Sequence, residues 1–85
     1  MEIMLEKQPQ KYLASVDEPT RAKLNRAIEK LRDLEGDIVR LSGKKNLFRC
    51  KIAHYRIIFS VRDGKLIVIE AIDTRTNIKY RRYQS

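Results

Sequence analysis

Two periodicities divide this chain. Met1 to Glu6 alternates, with Ile3 and Leu5 on one side and Glu2, Met4 and Glu6 on the other, which predicts a short strand. Pro9 then suits the first turn of a short helix running to about Val16, where a missing N–H costs nothing, and Tyr12, Leu13 and Val16 give that helix one apolar side. Asp17 reads as an N-cap, with Glu18 and Pro19 in the first turn of a second helix. Leu24, Ala27, Ile28, Leu31 and Leu34 recur at helical spacing, Lys23, Arg26, Glu29, Lys30 and Arg32 point outward, and Gly36 is the expected stop.

Beyond a loop around Ser42 to Asn46 the period becomes two. Phe48, Cys50 and Ile52 form one face of a strand and Arg49 and Lys51 the other. Tyr55, Ile57, Phe59 and Val61 then alternate with Arg56, Ile58 and Ser60, and Arg62-Asp63-Gly64-Lys65 supplies a two-residue Asp-Gly hairpin turn. Leu66 to Ile72 is nearly continuous in apolar residues, as a central strand requires, and the Arg- and Tyr-rich tail from Asp73 is expected to add a short strand around Tyr80 to Tyr83. The order predicts an α+β fold: a short N-terminal strand, two helices, then a three- to four-stranded antiparallel sheet with the helices on one face and the other face accessible.

Composition narrows the class. Eighty-five residues support one small domain, 1–85, burying only roughly 60% of its unfolded surface. No apolar run approaches a membrane span, no signal-peptide pattern opens the sequence, and Cys50 has no second cysteine to pair with, so a soluble, cytoplasmic protein is expected. One Cys and one His fall short of the usual zinc ligand set, and no metal or cofactor is expected.

Charge carries the functional signal. The net charge is +8, yet residues 1–39 hold seven Lys/Arg and eight Asp/Glu while residues 40–85 hold twelve and three. Arg49 and Lys51 share a strand face, and Arg56 joins them from the next strand. Such a face is costly without an anionic partner, and nucleic-acid phosphate is the obvious one.

The residues carrying this signal also carry a resemblance. The opening Glu2-Ile3-Met4-Leu5 strand, Thr20-Arg21 with Ala27-Ile28-Glu29-Lys30-Leu31, Leu47-Phe48-Arg49, Tyr55-Arg56-Ile57-Ile58-Phe59 and Ile72-Asp73-Thr74-Arg75 together resemble the RelE/ParE toxin superfamily over nearly the whole chain. The resemblance implies a toxin of a type II toxin–antitoxin pair, of the RelE type: a ribosome-dependent endoribonuclease that cuts mRNA in the A site and is held in a hetero-oligomer by a cognate antitoxin. It further implies a site at the positions of Arg49, Lys51, Arg56, Arg75 and a tyrosine, for which Tyr80 and Tyr83 compete and Tyr80 is taken. At Asp73-Thr74 the chain departs from the Gly-His/Lys common in the family.

Cleavage by the 2′-OH needs that hydroxyl deprotonated, the phosphate charge stabilised and the 5′-oxygen protonated. The expected catalytic set is Lys51, Arg56, Arg75 and Tyr80: the two arginines on the phosphate, Lys51 as candidate proton carrier, and Tyr80 stacking on a base or moving a proton. Arg49, Lys44, Lys45 and Arg81 are the expected RNA-backbone contacts, although a loop lysine is also simply a solvated one. His54 reads mainly as a surface residue and Cys50 as a small core residue. Two further classes stay open: a ParE-like DNA gyrase poison, and a catalytically inactive basic binding module of the same fold.

Overall fold

The computed structural model describes residues 1–41, 43 and 46–83. Strand β1 (Glu2–Leu5) leads into helices α1 (Lys7–Ser15) and α2 (Glu18–Lys30), followed by β2 (Asp37–Arg40), β3 (Leu47–Ile52), β4 (Tyr55–Arg62) and β5 (Leu66–Thr74). One sheet holds all five strands in the order β1-β5-β4-β3-β2. Strands β2 to β5 are antiparallel neighbours, whereas β1 lies parallel to β5, with Ile3 opposite Ile67 and Leu5 opposite Ile69.

Local chemistry explains the helices. Pro9 occupies the first turn of α1, where its missing N–H has no intrahelical partner to lose. Asp17 caps α2 by accepting from the Thr20 N–H at 3.0 Å. Arg21, one residue further on, ion-pairs with Glu18 and turns back to α1, donating from Nε to the Leu13 carbonyl at 2.7 Å and from Nη2 to the Val16 carbonyl at 2.8 Å. One guanidinium thus satisfies carbonyls that the end of α1 leaves orphaned. The second helix stops earlier than its periodicity predicts. Leu31–Asp33 tightens into a 3₁₀ turn and Leu34 is left-handed at φ 55°, so Leu34 leaves the apolar stripe and is 47% exposed, while Leu24, Ala27, Ile28 and Leu31 are buried as expected.

The sheet departs from the sequence pattern at two places. Residues 37–40, which alternation left unassigned, form the edge strand β2, and they supply the fourth antiparallel strand that the tail was expected to provide. Tyr80–Arg82 is instead a 3₁₀ turn. The physical reason is that β1 already occupies the outer edge of β5, so the tail packs its aromatic rings on the sheet surface. The turn forms at Asp63 and Gly64, both at positive φ, and the Lys65 N–H donates to the Arg62 carbonyl at 3.0 Å, but Arg62 pairs with Leu66, so the loop between the strands is three residues long where two were expected. In β5 a bulge leaves Glu70 as an extra residue between Ile69, opposite Phe59, and Ala71, opposite Ile58. It shifts the strand's phase, so Ile67, Ile69 and Ile72 all face the helices while Ala71 faces away.

The main core lies between the helices and the sheet. Leu24, Ile28 and Leu31 meet Ile57, Phe59 and Ile69 there, and Phe48 stacks on Phe59 with ring centroids 5.4 Å apart. On the other face a smaller cluster of Leu41, Ile58 and Ala71 is joined by Leu47, Ile78, Tyr80 and Tyr83. The face expected to be open is therefore partly covered, and the tail is what covers it.

Candidate nucleic-acid interface

Residues opposite one another in an antiparallel ladder share a face. Lys51 stands opposite Asp37 on one side and Arg56 on the other, and Arg56 stands opposite Asp73, so one row crosses the sheet as Asp37, Lys51, Arg56, Asp73. The row beside it runs Val39, Arg49, Ile58, Ala71. Tyr80, brought over this face by the tail, completes a groove of about 440 Å³ lined by Val39, Arg40, Leu41, Arg49, Lys51, Arg56 and Tyr80.

Each cation is held differently. Arg56 Nη1 donates to the Ala53 carbonyl at 3.1 Å and to the Tyr55 carbonyl at 2.8 Å, which ties the guanidinium to the β3–β4 turn, where Ala53 is left-handed at φ 53°. The Arg49 side chain is 21% exposed, and its Nη1 lies 3.9 Å from Asp37 Oδ1, too far for a hydrogen bond. Among the described residues that buried nitrogen has no hydrogen-bond partner. Lys51 is exposed, and among the described residues its side chain makes no hydrogen bond or ion pair. Two like charges directly opposite one another, as Lys51 and Arg56 are, destabilise a sheet unless an anion lies between them. A compact ammonium beside a planar guanidinium fork suits a phosphodiester, the one as a point charge and the other as a paired donor.

The groove gathers Arg49, Lys51, Arg56 and Tyr80, four of the eight residues expected from sequence. Arg75 and Arg81 are exposed and do not line it; Arg75 lies in the turn after β5, with its backbone N–H donating to the His54 carbonyl at 2.7 Å. Lys44 and Lys45 lie outside the described residues. Between the competing tyrosines, Tyr80 lines the groove, whereas Tyr83 borders a separate cavity with Gln8, Asp73 and Arg82. Burial, then the Glu70 carboxylate, push the Tyr83 phenol up from its ordinary value. Arg40 was missed because β2 is too short to alternate visibly; its one cue is a cation set between Val39 and Leu41. His54 is exposed in the β3–β4 turn, its ring 4.2 Å from Tyr55, and is not part of the groove.

The opposite side of β3 carries a second cavity, of about 390 Å³. Ala27, Cys50 and Ile52 form its apolar floor; Lys23, Arg26 and Lys30 of α2, with Lys51, bring cations to its rim, and Glu35 and Asp37 bring two carboxylates. Cys50 is buried there, and burial pushes its thiol up, so the residue behaves as the core position its alternation predicts.

Residues 4–78 match the family model of the ParE toxin of type II toxin–antitoxin systems, parDE. The chain belongs to this toxin family. Its RelE/ParE fold is equally plain in solved structures. RelE in the RelB–RelE antitoxin–toxin complex from Methanococcus jannaschii is 24% identical, with 86% of this chain and 91% of that one covered at a TM-score of 0.71. The archaeal RelE–RelB complex from Pyrococcus horikoshii OT3 is also 24% identical, over 91% and 97%, at 0.70. The isolated E. coli RelE toxin is 14% identical over 86% and 82%, at 0.71. No curated protein matches the chain. For this RelE/ParE toxin, no helix among the described residues is long and apolar enough to cross a membrane.

Proposed function

We propose that this toxin is a ribosome-dependent endoribonuclease that cuts mRNA in the A site and so stops translation. The observation that supports it is the convergence of Arg49, Lys51, Arg56 and Tyr80 on one open groove. Arg56, fixed by two backbone carbonyls, meets the scissile phosphate and stabilises the charge that builds as the 2′-oxygen attacks. Lys51, the exposed member, moves the proton; Tyr80 stacks on a base or takes part in proton transfer at the 2′-OH; Arg49 binds backbone. Arg75 and Arg81, exposed beyond the groove, contact flanking phosphates.

A cognate antitoxin is the protein partner, as RelB is for the archaeal RelE toxins in their complexes. The helix-side cavity, with its apolar floor and a rim where four cations outnumber Glu35 and Asp37, suits a segment carrying an apolar side chain beside acidic ones.

A second reading is favoured by the family model itself, which is that of the ParE toxin; on that reading the chain is a ParE-like poison of DNA gyrase on the same fold. Induced expression separates the two. The nuclease cuts translated mRNA when ribosomes are present, which mapping of mRNA ends detects; the gyrase poison leaves mRNA intact and traps cleaved supercoiled DNA. A basic binding module without catalysis does neither.

A further inference from the structure

Arg49 and Asp37 form an incomplete pair. Their separation of 3.9 Å satisfies the charge of the guanidinium but not its donors, and among the described residues Nη1 is left buried without a hydrogen bond. The arginine is mostly enclosed, with 21% of its side chain exposed, whereas the aspartate stands on the edge strand with 60% exposed. Register also puts Asp37 directly opposite Lys51, so this one carboxylate faces two of the four strand cations in the groove.

We propose that Asp37 is a built-in anion that occupies Arg49 in the free protein and yields it to an RNA phosphate. A phosphate offers the guanidinium the paired acceptors that the distant carboxylate does not, and the exposed Asp37 side chain has solvent to swing into. The carboxylate is a tax on every anion that approaches. A stray phosphate, gaining one contact, repays little of it, while a backbone held at Arg56, Lys51 and Tyr80 together displaces it. Asp37 thus sets an affinity threshold: the same cost falls on every anion that engages Arg49, so only a ligand held at several groove residues at once stays bound. This rests on the reading of the groove as an RNA-phosphate site.

The test uses the full chain and a short, dye-labelled, single-stranded 2′-O-methyl RNA, which binds but is not cleaved, with affinity read by fluorescence anisotropy. Four variants are compared with wild type: Asp37→Asn, Arg49→Ala, their combination, and Glu2→Gln, which makes the same charge change on the far edge of the sheet. Thermal melts establish that each is folded. Asp37→Asn is expected to tighten binding by about 1.5- to 5-fold, the range for an exposed ion pair, and more than Glu2→Gln does. In the Arg49→Ala background the gain shrinks to what Asp37 costs through Lys51 opposite it, because the Arg49 pair no longer exists. Equal tightening by Glu2→Gln, or the same gain with Arg49 absent, overturns the proposal and leaves only a general charge effect. If wild type binds through Arg49 yet Asp37→Asn does not tighten it, the proposal fails while the phosphate reading stands. If neither wild type nor Asp37→Asn binds the RNA, both fail.

Discussion

Gln8 holds Ile72 by both of its backbone groups. Its Nε2 donates to the Ile72 carbonyl at 2.9 Å and its Oε1 accepts from the Ile72 N–H, also at 2.9 Å. Strand β1 has ended by this point, since its last ladder partner is Ile69, so a side-chain amide continues the edge that the backbone no longer covers. The contact joins the start of α1 to the segment that leads into Arg75 and the tail.

Removing that amide should therefore be costly for a residue so near the surface. Gln8→Ala leaves a donor and an acceptor of β5 unpaired, and is expected to lower stability by about 1–3 kcal/mol. Urea unfolding checks it; an unchanged midpoint would mean that water replaces the amide at no cost.

Within the groove, the residues that line it should matter more than those that do not. Lys51→Ala and Arg56→Ala are each expected to slow cleavage of ribosome-bound mRNA by roughly 100- to 1,000-fold, the usual effect of removing one preorganised donor. Arg75→Ala should cost less, because that side chain lies outside the groove. Tyr80→Phe distinguishes the tyrosine's two roles, preserving activity if the ring only stacks and lowering it if the hydroxyl moves a proton. Cleavage undiminished in both the Lys51 and the Arg56 variants would remove the nuclease assignment.

The cap of α2 should make stability depend on acid. Hydrogen bonds from Thr20, through its side chain first and its backbone second, hold the Asp17 carboxyl below its ordinary value. A carboxyl lowered on folding contributes stability above its unfolded pKa and loses it as pH falls through the folded one. Asp17→Ala should thus melt below wild type at neutral pH, with the gap narrowing in acid. Asp17→Asn, a cap that does not titrate, should show less of this acid dependence. Melts of the three proteins across the acid range test the order.

Cys50 should be inert while the protein is folded. Burial pushes its thiol up, which keeps it protonated, so alkylation should be slow in the native protein and fast in urea. The sign is opposite to that of Asp17: the folded state disfavours the thiolate, so this contribution to stability is lost as pH rises past the unfolded thiol's value. Gly36 tests the packing around it. At φ 134° an added Cβ would lie 3.3 Å from the Cys50 sulfur, so Gly36→Ala is expected to lower the melting temperature and raise the alkylation rate together.

Much of the fold was legible because its signals are local. Asp17 followed by Glu18-Pro19, the stripe of Leu24, Ala27, Ile28 and Leu31, and Asp63-Gly64 between two apolar runs each specify geometry within a few residues. The failures have equally physical causes. Leu34 continues the helical spacing, but the chain turns left-handed there to reach β2. Four residues of β2 are too few to show a period, and the tyrosines near the end read as a strand although the edge they would have joined was taken.

Of the site, the sequence by itself determined that Arg49 and Lys51 face together and away from Phe48 and Cys50, because side chains alternate along any strand. Tertiary structure decided which other residues they meet. Strand register set Asp37 and Arg56 on either side of Lys51, the packing of the tail brought Tyr80 over them and left Arg75 outside, and the edge strand contributed Arg40. Alternation is a property of neighbouring residues, whereas register and the return of the tail depend on contacts made across the chain, which no local pattern encodes.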